Sequence, residues 1–233
     1  AGHVEPALNL ADALRRRDPA TAITLVGTSR GLEARLVPAR GYELREITAV
    51  PLPRRPTGDL LRLPVRLRRS IRECRAVIEE FRPDVVVGFG GFVALPAYLA
   101  ARRAGVPTVV HEANAKAGLA NRIGARHAAA RAENIAGSLP DAVRVGLPLR
   151  ASVAGLDRAA MRDQARAAMG VRTDRPMLLV FGGSQGAQRI NAALWEALPD
   201  LQGICVVHGV GERNIASAPS PVPDSYMPLA YIE

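Results

Sequence analysis

The chain has 233 residues, of which 48% are hydrophobic and only 4% aromatic, and its formal net charge is +9. A chain of this length can bury a sizeable core in one large or two modest domains. With few aromatics that core must consist of Ala, Val, Leu and Ile, which suits a parallel α/β sheet. Cys74 and Cys205 are far apart and the first residues do not resemble a signal peptide, so we expect a reducing, cytosolic setting without a disulfide framework.

The longest uncharged run, Val85–Ala101, has 17 residues. A membrane-spanning helix needs about 20 apolar residues, and glycines and a proline interrupt this run after its β-branched start. We therefore predict a strand, a turn and a helix here instead of a membrane span.

Strand-like and helix-like periodicities alternate along the first part of the chain. The predicted elements are helix Pro6–Arg17, strand Ala22–Val26, helix Leu32–Ala39, strand Tyr42–Ile47, a basic helix from Pro64, strand Asp84–Gly88, helix Val93–Arg103, strand Thr108–Glu112 and helix Gly118–Arg126. This alternation predicts right-handed crossovers and a parallel sheet.

A second unit begins after the segment Val145–Arg150. Its predicted elements are helix Arg158–Met169, strand Met177–Phe181, helix Ala187–Leu198 and strand Ile204–His208. We place a domain boundary at about residue 150, which divides the chain into domains 1–150 and 151–233.

Positive charge is concentrated between Arg54 and Arg75, where eight arginines against two acidic residues supply +6 of the +9. From Pro64 onward an apolar stripe with helical spacing consists of Leu67, Ile71, Cys74, Val77 and Ile78. The arginines lie largely outside this stripe. Such a face could bind anionic lipid headgroups, or it could be a solvated face in a chain whose only lysine is Lys116. Nucleic acid is disfavoured because no aromatic residues interleave for base stacking.

In open parallel sheets, ligands bind beyond the carboxyl ends of the strands, so the strand-to-helix turns are candidate sites. At the first turn, Ala1-Gly2-His3, a histidine could take a proton from a hydroxyl nucleophile, or it could cap the helix or serve in packing. The second turn contains Gly88 and Gly90-Gly91, whose backbone could approach a ligand or a packed neighbour.

The third and fourth turns carry polar groups. His111-Glu112-Ala113-Asn114 could hydrogen-bond a sugar or form a structural network at the end of its strand. Gly182-Gly183-Ser184-Gln185-Gly186 precedes a helix and could bind an anion such as a diphosphate, or could be a tight structural turn. It lacks the Gly-Lys-Ser/Thr of a P-loop and does not fit Gly-x-Gly-x-x-Gly.

Taken in order, these turns resemble the MurG family, the bacterial glycosyltransferases that make lipid II. The family's amino-terminal motif reads Gly-Gly-Thr-x-Gly-His, and Ala1-Gly2-His3 matches its second half. The other matching segments are Gly90-Gly91-Phe92, His111-Glu112-x-Asn114, Leu147-Pro148-Leu149-Arg150 and Gly182-Gly183-Ser184-Gln185-Gly186-Ala187. Five segments in the family's order make the resemblance specific, although each alone is weak.

The resemblance implies an α/β fold of the GT-B type, with two Rossmann-like parallel-sheet domains facing across a cleft and the second incomplete. It implies an inverting transfer of N-acetylglucosamine from UDP-N-acetylglucosamine to the C4 hydroxyl of the muramyl sugar of undecaprenyl-pyrophosphoryl-muramyl-pentapeptide. That step converts lipid I to lipid II in peptidoglycan biosynthesis, at the cytoplasmic face of the bacterial membrane, by a peripheral enzyme.

The resemblance also implies residue roles, with His3 as the base that activates the acceptor hydroxyl. The implied donor-binding residues are Ala1, Gly2, Asn114, Arg150, Gly183, Ser184, Gln185 and Ile232. The implied acceptor-side residues are Gly90, Gly91, His111 and Glu112, and the arginines expected at the membrane surface are Arg62, Arg66, Arg69 and Arg72.

No Asp-x-Asp occurs in the sequence, so no protein-bound metal is expected, and no cofactor is expected because the nucleotide sugar is a substrate. The helix amino terminus at Gly186 and Arg150 would stabilise the charge on UDP. The expected partners are UDP-N-acetylglucosamine, lipid I and an anionic membrane surface. No nucleic acid is expected, and the sequence does not identify any protein partners.

Three features depart from the family's pattern. The first half of the opening motif with its preceding strand, and the expected carboxy-terminal half, are absent, so we expect a chain truncated at both ends with little activity of its own. Phe92 stands where a tyrosine is common. Two other interpretations remain open: another GT-B or epimerase-type nucleotide-sugar enzyme, and a non-catalytic module that binds nucleotide sugars or anionic lipid.

Overall fold

The computed structural model of the protein describes residues 2–50, 63–171, 174–183 and 186–232. The chain forms two compact units, Ala1–Gly155 and Leu156–Glu233, so the first unit ends five residues after the predicted boundary. Every strand pair within the described ranges is parallel, which confirms the predicted parallel α/β class.

The first unit contains two parallel sheets, a two-stranded sheet β1-β2 and a four-stranded sheet in the order β3-β4-β5-β6. Its elements are α1 (Val4–Arg17), β1 (Thr24–Gly27), α2 (Glu33–Ala39), β2 (Glu43–Glu46), α3 (Leu63–Phe81), β3 (Val86–Gly88), α4 (Ala94–Ala104), β4 (Thr108–Glu112), α5 (Leu119–Ala125), β5 (Ala130–Glu133), β6 (Val143–Arg144) and α6 (Ala151–Ala154).

Helix α4 lies at the centre of the first unit's core. Its Ala100 and Ala101 are fully buried against Cys74 and Ile78 of α3, two members of the predicted apolar stripe. Its Tyr98 packs with Val110 of β4 and with α5. The helix ends where Gly105 adopts a left-handed conformation (φ 70°), a common helix terminator.

The uncharged run Val85–Ala101 therefore forms a strand, a turn and a helix, as predicted. Among the helices that the structure describes, none is long and apolar enough to cross a membrane.

The second unit contains a three-stranded parallel sheet in the order β7-β8-β9. Its elements are α7 (Arg158–Ala168), β7 (Met177–Phe181), α8 (Gln188–Ala197), β8 (Cys205–Gly209) and β9 (Tyr226–Leu229). Leu194 of α8 packs on Val206 and Tyr226 to form the core. Asp157 caps α7 by accepting hydrogen bonds from the Ala159 and Ala160 amides, which satisfies two otherwise unpaired donors.

Candidate functional site

The first and second predicted turns meet in the first unit. His3 is the exposed residue that precedes α1, and its Nδ1 lies 2.7 Å from the carbonyl oxygen of Phe89, just after β3. Gly90 and Gly91 have positive φ (89° and 83°), and a Cβ at either would lie 3.2–3.3 Å from the His3 ring. The two glycines therefore let the turn after β3 pack closely against the imidazole.

This contact sets the tautomer of His3. A carbonyl oxygen only accepts, so Nδ1 must carry the proton that is donated to Phe89. In the neutral ring Nε2 then holds the lone pair, and the side chain is exposed. The geometry gives the first unit an oriented histidine whose free nitrogen can accept a proton.

Glu112 organises the third predicted turn. Its carboxylate is 1% exposed and accepts hydrogen bonds from the backbone amides of Asn114 and Gly118 and from the side-chain amides of Asn114 and Asn121. Burial alone would raise the pKa of Glu112, but these hydrogen bonds outweigh it and hold that pKa below its usual value. The turn is thus fixed around a buried carboxylate, and it leaves Asn114 exposed.

Tyr98 and Asn121 connect this turn to the helices behind it. The Tyr98 hydroxyl donates to Asn121 Oδ1 at 2.8 Å, and Asn121 Nδ2 donates to the His111 carbonyl at 3.0 Å. Gly88 is required beside them because a Cβ there would lie 2.2 Å from the Tyr98 ring. Burial raises the pKa of Tyr98, so its hydroxyl stays protonated.

His111 lies behind the surface, since it is only 4% exposed. Its Nε2–H donates to the Gly146 carbonyl at 2.8 Å, and its ring packs on Phe89 with centroids 5.4 Å apart. His111 and Glu112 therefore shape the backbone on the predicted acceptor side, and neither side chain is accessible to a ligand at the surface.

Arg150 forms an ion pair within the first unit. Its Nη2 lies 2.7 Å from Oε1 of Glu5, and its Nε lies 3.1 Å from Oε2. Glu5 is in the first turn of α1, two residues after His3. The hydrogen bond from Arg150 lowers the pKa of Glu5, and this outweighs the effect of burial, with the charge of Arg40 acting in the same direction. Glu5 is therefore ionised at neutral pH.

The glycine-rich turn of the second unit follows β7 and leads into α8. A Cβ on Gly182 would lie 2.6 Å from the Ala187 nitrogen, and one on Gly186 would lie 1.9 Å from the Val210 oxygen. Asn191 and Asn214 both donate to that same Val210 carbonyl, at 3.0 and 3.2 Å. Gly182 thus allows β7 to approach Ala187 closely, and Gly186 packs directly on the fixed backbone of Val210 after β8.

Two predicted donor-binding residues share one pocket in the second unit. A shallow pocket of about 130 Å³ lies at the carboxyl ends of β7, β8 and β9 and is lined by Gly183 and Ile232. Phe181, Gly209, Ala230 and Tyr231 also line it, and a Cβ on Gly209 would lie 2.9 Å from Ile232 Cδ1. Its position is where parallel sheets bind ligands.

A buried hydrogen-bond chain supports this turn. Trp195 donates to the Tyr226 hydroxyl oxygen at 2.8 Å, and that hydroxyl is 2.9 Å from His208 Nδ1. His208 Nε2 is 3.1 Å from Asn191 Oδ1, which only accepts, so Nε2 carries the proton and Nδ1 accepts from Tyr226. Burial lowers the pKa of His208, so the neutral ring continues this chain to Asn191.

The predicted membrane-facing arginines differ in their surroundings. Arg66 is half-buried, while Arg69 and Arg72 are exposed on α3. Arg69 is also paired with Glu73 at 2.9 Å, an exposed contact that contributes little to stability. The exposed Val65, with 68% of its surface accessible, lies on the same helix.

Four predicted site residues lie outside the described ranges: Ala1, Ser184, Gln185 and Arg62. Gly2 is described and lies exposed in the turn before α1. Within the described ranges, no group of three or more His, Cys, Asp or Glu residues is arranged to hold a metal ion.

Sequence reasoning missed several residues that hold the sites in place: Glu5, Tyr98, Asn121, Asn191 and His208. Their only sequence signal is a polar group inside an otherwise apolar helix or strand, as with Asn121 in α5 and His208 in β8. Buried polar groups of this kind need partners, but the sequence does not show which partners they find.

Comparison with known families and proteins gives consistent matches. The model of the glycosyltransferase family 28 N-terminal domain matches residues 1–132. Three relatives named as UDP-N-acetylglucosamine–N-acetylmuramyl-(pentapeptide) pyrophosphoryl-undecaprenol N-acetylglucosamine transferase come from Nocardia farcinica, Mycolicibacterium smegmatis and Streptomyces avermitilis. They are 57%, 55% and 53% identical over 94%, 100% and 100% of this chain. The chain spans only 60%, 63% and 66% of their lengths.

Solved structures show the same fold. The crystal structure of Acinetobacter baumannii MurG has a TM-score of 0.72 at 26% identity, over 99% of this chain and 63% of that one. A UDP-GlcNAc 2-epimerase from Neisseria meningitidis has a TM-score of 0.63 at 14% identity, over 99% and 69%. These neighbours confirm the predicted GT-B type of α/β fold. Because the epimerase is only 14% identical, its similarity to this chain concerns the fold alone.

Proposed function

Because the chain belongs to glycosyltransferase family 28, and within it to the MurG proteins predicted from its turns, we propose that the complete protein transfers N-acetylglucosamine. The donor is UDP-N-acetylglucosamine, and the acceptor is the C4 hydroxyl of the muramyl sugar of undecaprenyl-pyrophosphoryl-muramyl-pentapeptide. The anomeric centre is inverted, and the product serves peptidoglycan synthesis. The names and identities of the relatives, together with the oriented His3, support this proposal.

The single observation that carries the chemistry is the hydrogen bond from His3 Nδ1–H to the Phe89 carbonyl. It leaves Nε2 free to accept the proton of the acceptor hydroxyl while that oxygen attacks the anomeric carbon. The glycosidic bond to UDP breaks in the same step, and the diphosphate keeps the bonding electrons. The proton ends on His3, and UDP leaves with its additional negative charge.

The second unit contributes donor binding in this proposal. Gly183 and Ile232 line the pocket at the strand ends, and α8 begins at Gln188, so the amino terminus of this helix follows the glycine-rich segment. Preorganised donors at a helix amino terminus typically contribute about 3 kcal/mol each to stabilising developing charge. In the second unit, Ser184 and Gln185 are proposed to bind the nucleotide diphosphate. For the first unit, the proposed roles are binding of the diphosphate by Arg150 and of the sugar by Asn114. No protein-bound metal or cofactor takes part in the proposed reaction.

We further propose that α3 contacts an anionic membrane surface at the cytoplasmic face, where the lipid-linked acceptor resides. Arg69 and Arg72 are exposed on this helix together with Val65. Each arginine near an anionic leaflet contributes about 1 kcal/mol, so several of them suffice for peripheral binding.

The proposed function is tested by measuring UDP release by the complete gene product, with UDP-N-acetylglucosamine and a soluble lipid I analogue. We expect release that requires the acceptor and falls by about 100-fold or more in His3→Ala, since general-base catalysis contributes about 10² to 10⁴. His127→Ala is the matched control, because His127 is an exposed histidine elsewhere in the same unit. Wild-type turnover in His3→Ala would overturn the assignment of the base.

A further inference from the structure

Glu5 binds one edge of the Arg150 guanidinium. The pair is bidentate, with Nη2 at 2.7 Å from Oε1 and Nε at 3.1 Å from Oε2. The carboxylate is only 24% exposed, whereas the arginine side chain is 56% exposed. The Glu5 carboxylate is therefore held mostly within the protein, whereas the Arg150 side chain extends towards solvent.

The anchoring of Glu5 comes from one face of α1. Arg40 donates to Glu5 at 2.8 Å, and its other terminal nitrogen donates to Asp12 and Asn9, both at 3.0 Å. These three partners are spaced as neighbours along the helix. Glu5 is thus held by a second arginine, independently of Arg150.

The segment that carries Arg150 is fixed to the same helix face. Asn9 Nδ2 donates to the Pro148 carbonyl at 2.9 Å, one helical turn after Glu5. The backbone before Arg150 and the guanidinium itself are therefore both held by α1, whose first turn follows His3.

Among the described residues, Glu5 is the hydrogen-bond partner of Arg150 and contacts only Nε and Nη2, so it does not occupy the end edge of this largely exposed guanidinium. Arginine has five N–H donors in a planar fork, and the contact with Glu5 uses the side edge formed by Nε and Nη2. The end edge, formed by Nη1 and the second N–H of Nη2, has the spacing that matches two oxygens of a phosphate. A guanidinium that is fixed along its side edge presents the adjacent end edge in a defined orientation.

We propose that Glu5 is a positioning residue for the nucleotide diphosphate, acting through Arg150. By holding the Nε edge, it orients the end edge of Arg150 to receive phosphate oxygens and removes the rotational freedom that binding would otherwise have to restrict. This inference rests on the proposed function, in which Arg150 binds the diphosphate of the donor. It adds a requirement for a carboxylate at residue 5 that neither composition nor motif indicates.

The test measures the binding of UDP and of uridine to the complete gene product by titration calorimetry and competition. We expect Glu5→Gln to raise the dissociation constant of UDP about tenfold, because the charged bidentate hold on Arg150 is lost. The dissociation constant of uridine should not change, since uridine has no phosphate. A role of Glu5 that was merely structural would change the binding of both ligands or of neither.

Asp12→Asn is the matched control. Asp12 lies on the same face of α1 and contacts Arg40 and Tyr42, but not Arg150. It should leave the binding of both ligands within about twofold of wild type. In an Arg150→Ala background, Glu5→Gln should have no further effect on UDP binding, because the positioned group is gone.

Several results would overturn the inference. One is an equal effect of Glu5→Gln and Asp12→Asn on UDP binding, and another is an effect of Glu5→Gln on UDP binding that persists in Arg150→Ala. A third is tighter UDP binding by Glu5→Gln, which would mean that Glu5 competes with phosphate for Arg150. If Glu5→Gln does not fold, Glu5→Asp, which keeps the charge but shortens the reach, should weaken UDP binding selectively as well. Wild-type protein that binds neither UDP nor UDP-N-acetylglucosamine would instead refute the proposed function.

Discussion

The position of Gly186 against the Val210 carbonyl leads to a prediction about the stability of the second unit. Gly186 has φ of 70°, and a Cβ there would lie 1.9 Å from the Val210 oxygen. Gly203, in the same unit, has φ of 82° and no atom within 4 Å of a built Cβ. Replacement of either glycine with alanine introduces a similar backbone strain, but only Gly186→Ala also introduces a steric clash. The difference in stability between the two variants therefore measures the effect of the clash.

The expected destabilisation differs between the two variants. A non-glycine residue in the left-handed region costs about 1–2 kcal/mol, and Gly203→Ala should lose only that amount. Gly186→Ala must also displace the Val210 carbonyl, which accepts hydrogen bonds from Asn191 and Asn214. Each such bond contributes about 1 kcal/mol, so a total loss of about 3–4 kcal/mol is expected.

The assay is urea unfolding followed by tryptophan fluorescence. Trp195 is the only tryptophan of the chain and lies in α8, so the signal reports the second unit. Equal losses of unfolding free energy in Gly186→Ala and Gly203→Ala would refute the packing argument. UDP binding should also be weakened in Gly186→Ala and not in Gly203→Ala.

Three further predictions concern pH, a buried carboxylate and the basic helix. Lowering the pH from 7.5 to 5.5 should reduce the unfolding free energy of the second unit. Burial lowers the pKa of His208 in the folded state. Below about pH 6.5 the unfolded chain therefore binds a proton at His208 that the folded chain does not, and this favours unfolding. His208→Gln should flatten that slope. In Glu112→Gln, the free energy that protects β4 and α5 from hydrogen exchange should fall by about 2–3 kcal/mol, because an amide nitrogen would face donors that the carboxylate now satisfies. Glu79→Gln is the control, since Glu79 belongs to an exposed ion pair, and it should lower that free energy by less than about 0.5 kcal/mol. Replacing Arg66, Arg69 and Arg72 with Glu should reduce co-sedimentation with anionic vesicles but not with neutral ones, and unchanged co-sedimentation would contradict the membrane-surface proposal.

The fold was largely predictable where periodicity is strong. Strands β4 and β7 have the predicted bounds, because both are short apolar runs with polar or glycine-rich segments after them. Strands β5, β6 and β9 were not predicted individually. Arg131 and Glu133 break the apolar pattern of β5, β6 has only two residues, and β9 contains Pro228, which is tolerated there because the strand lies at a sheet edge.

The candidate site was predictable in its turns but not in its supports. Glycine and histidine at strand ends are local signals, and the structure brings His3 against Gly90-Gly91 and places Gly183 with Ile232 in one pocket. The ion pair between Glu5 and Arg150 joins residues 145 positions apart. Such pairings depend on how the chain returns to α1, which residue types and local spacing do not encode.

Identification of the reaction product shows whether the complete protein transfers N-acetylglucosamine to a lipid-linked muramyl acceptor. The complete gene product should convert labelled UDP-N-acetylglucosamine and a lipid I analogue into a lipid-linked disaccharide with an inverted, β-configured linkage to the C4 oxygen, and should release one UDP per product. A labelled free sugar or an epimerised nucleotide sugar, formed without the disaccharide, would refute the proposed transfer reaction.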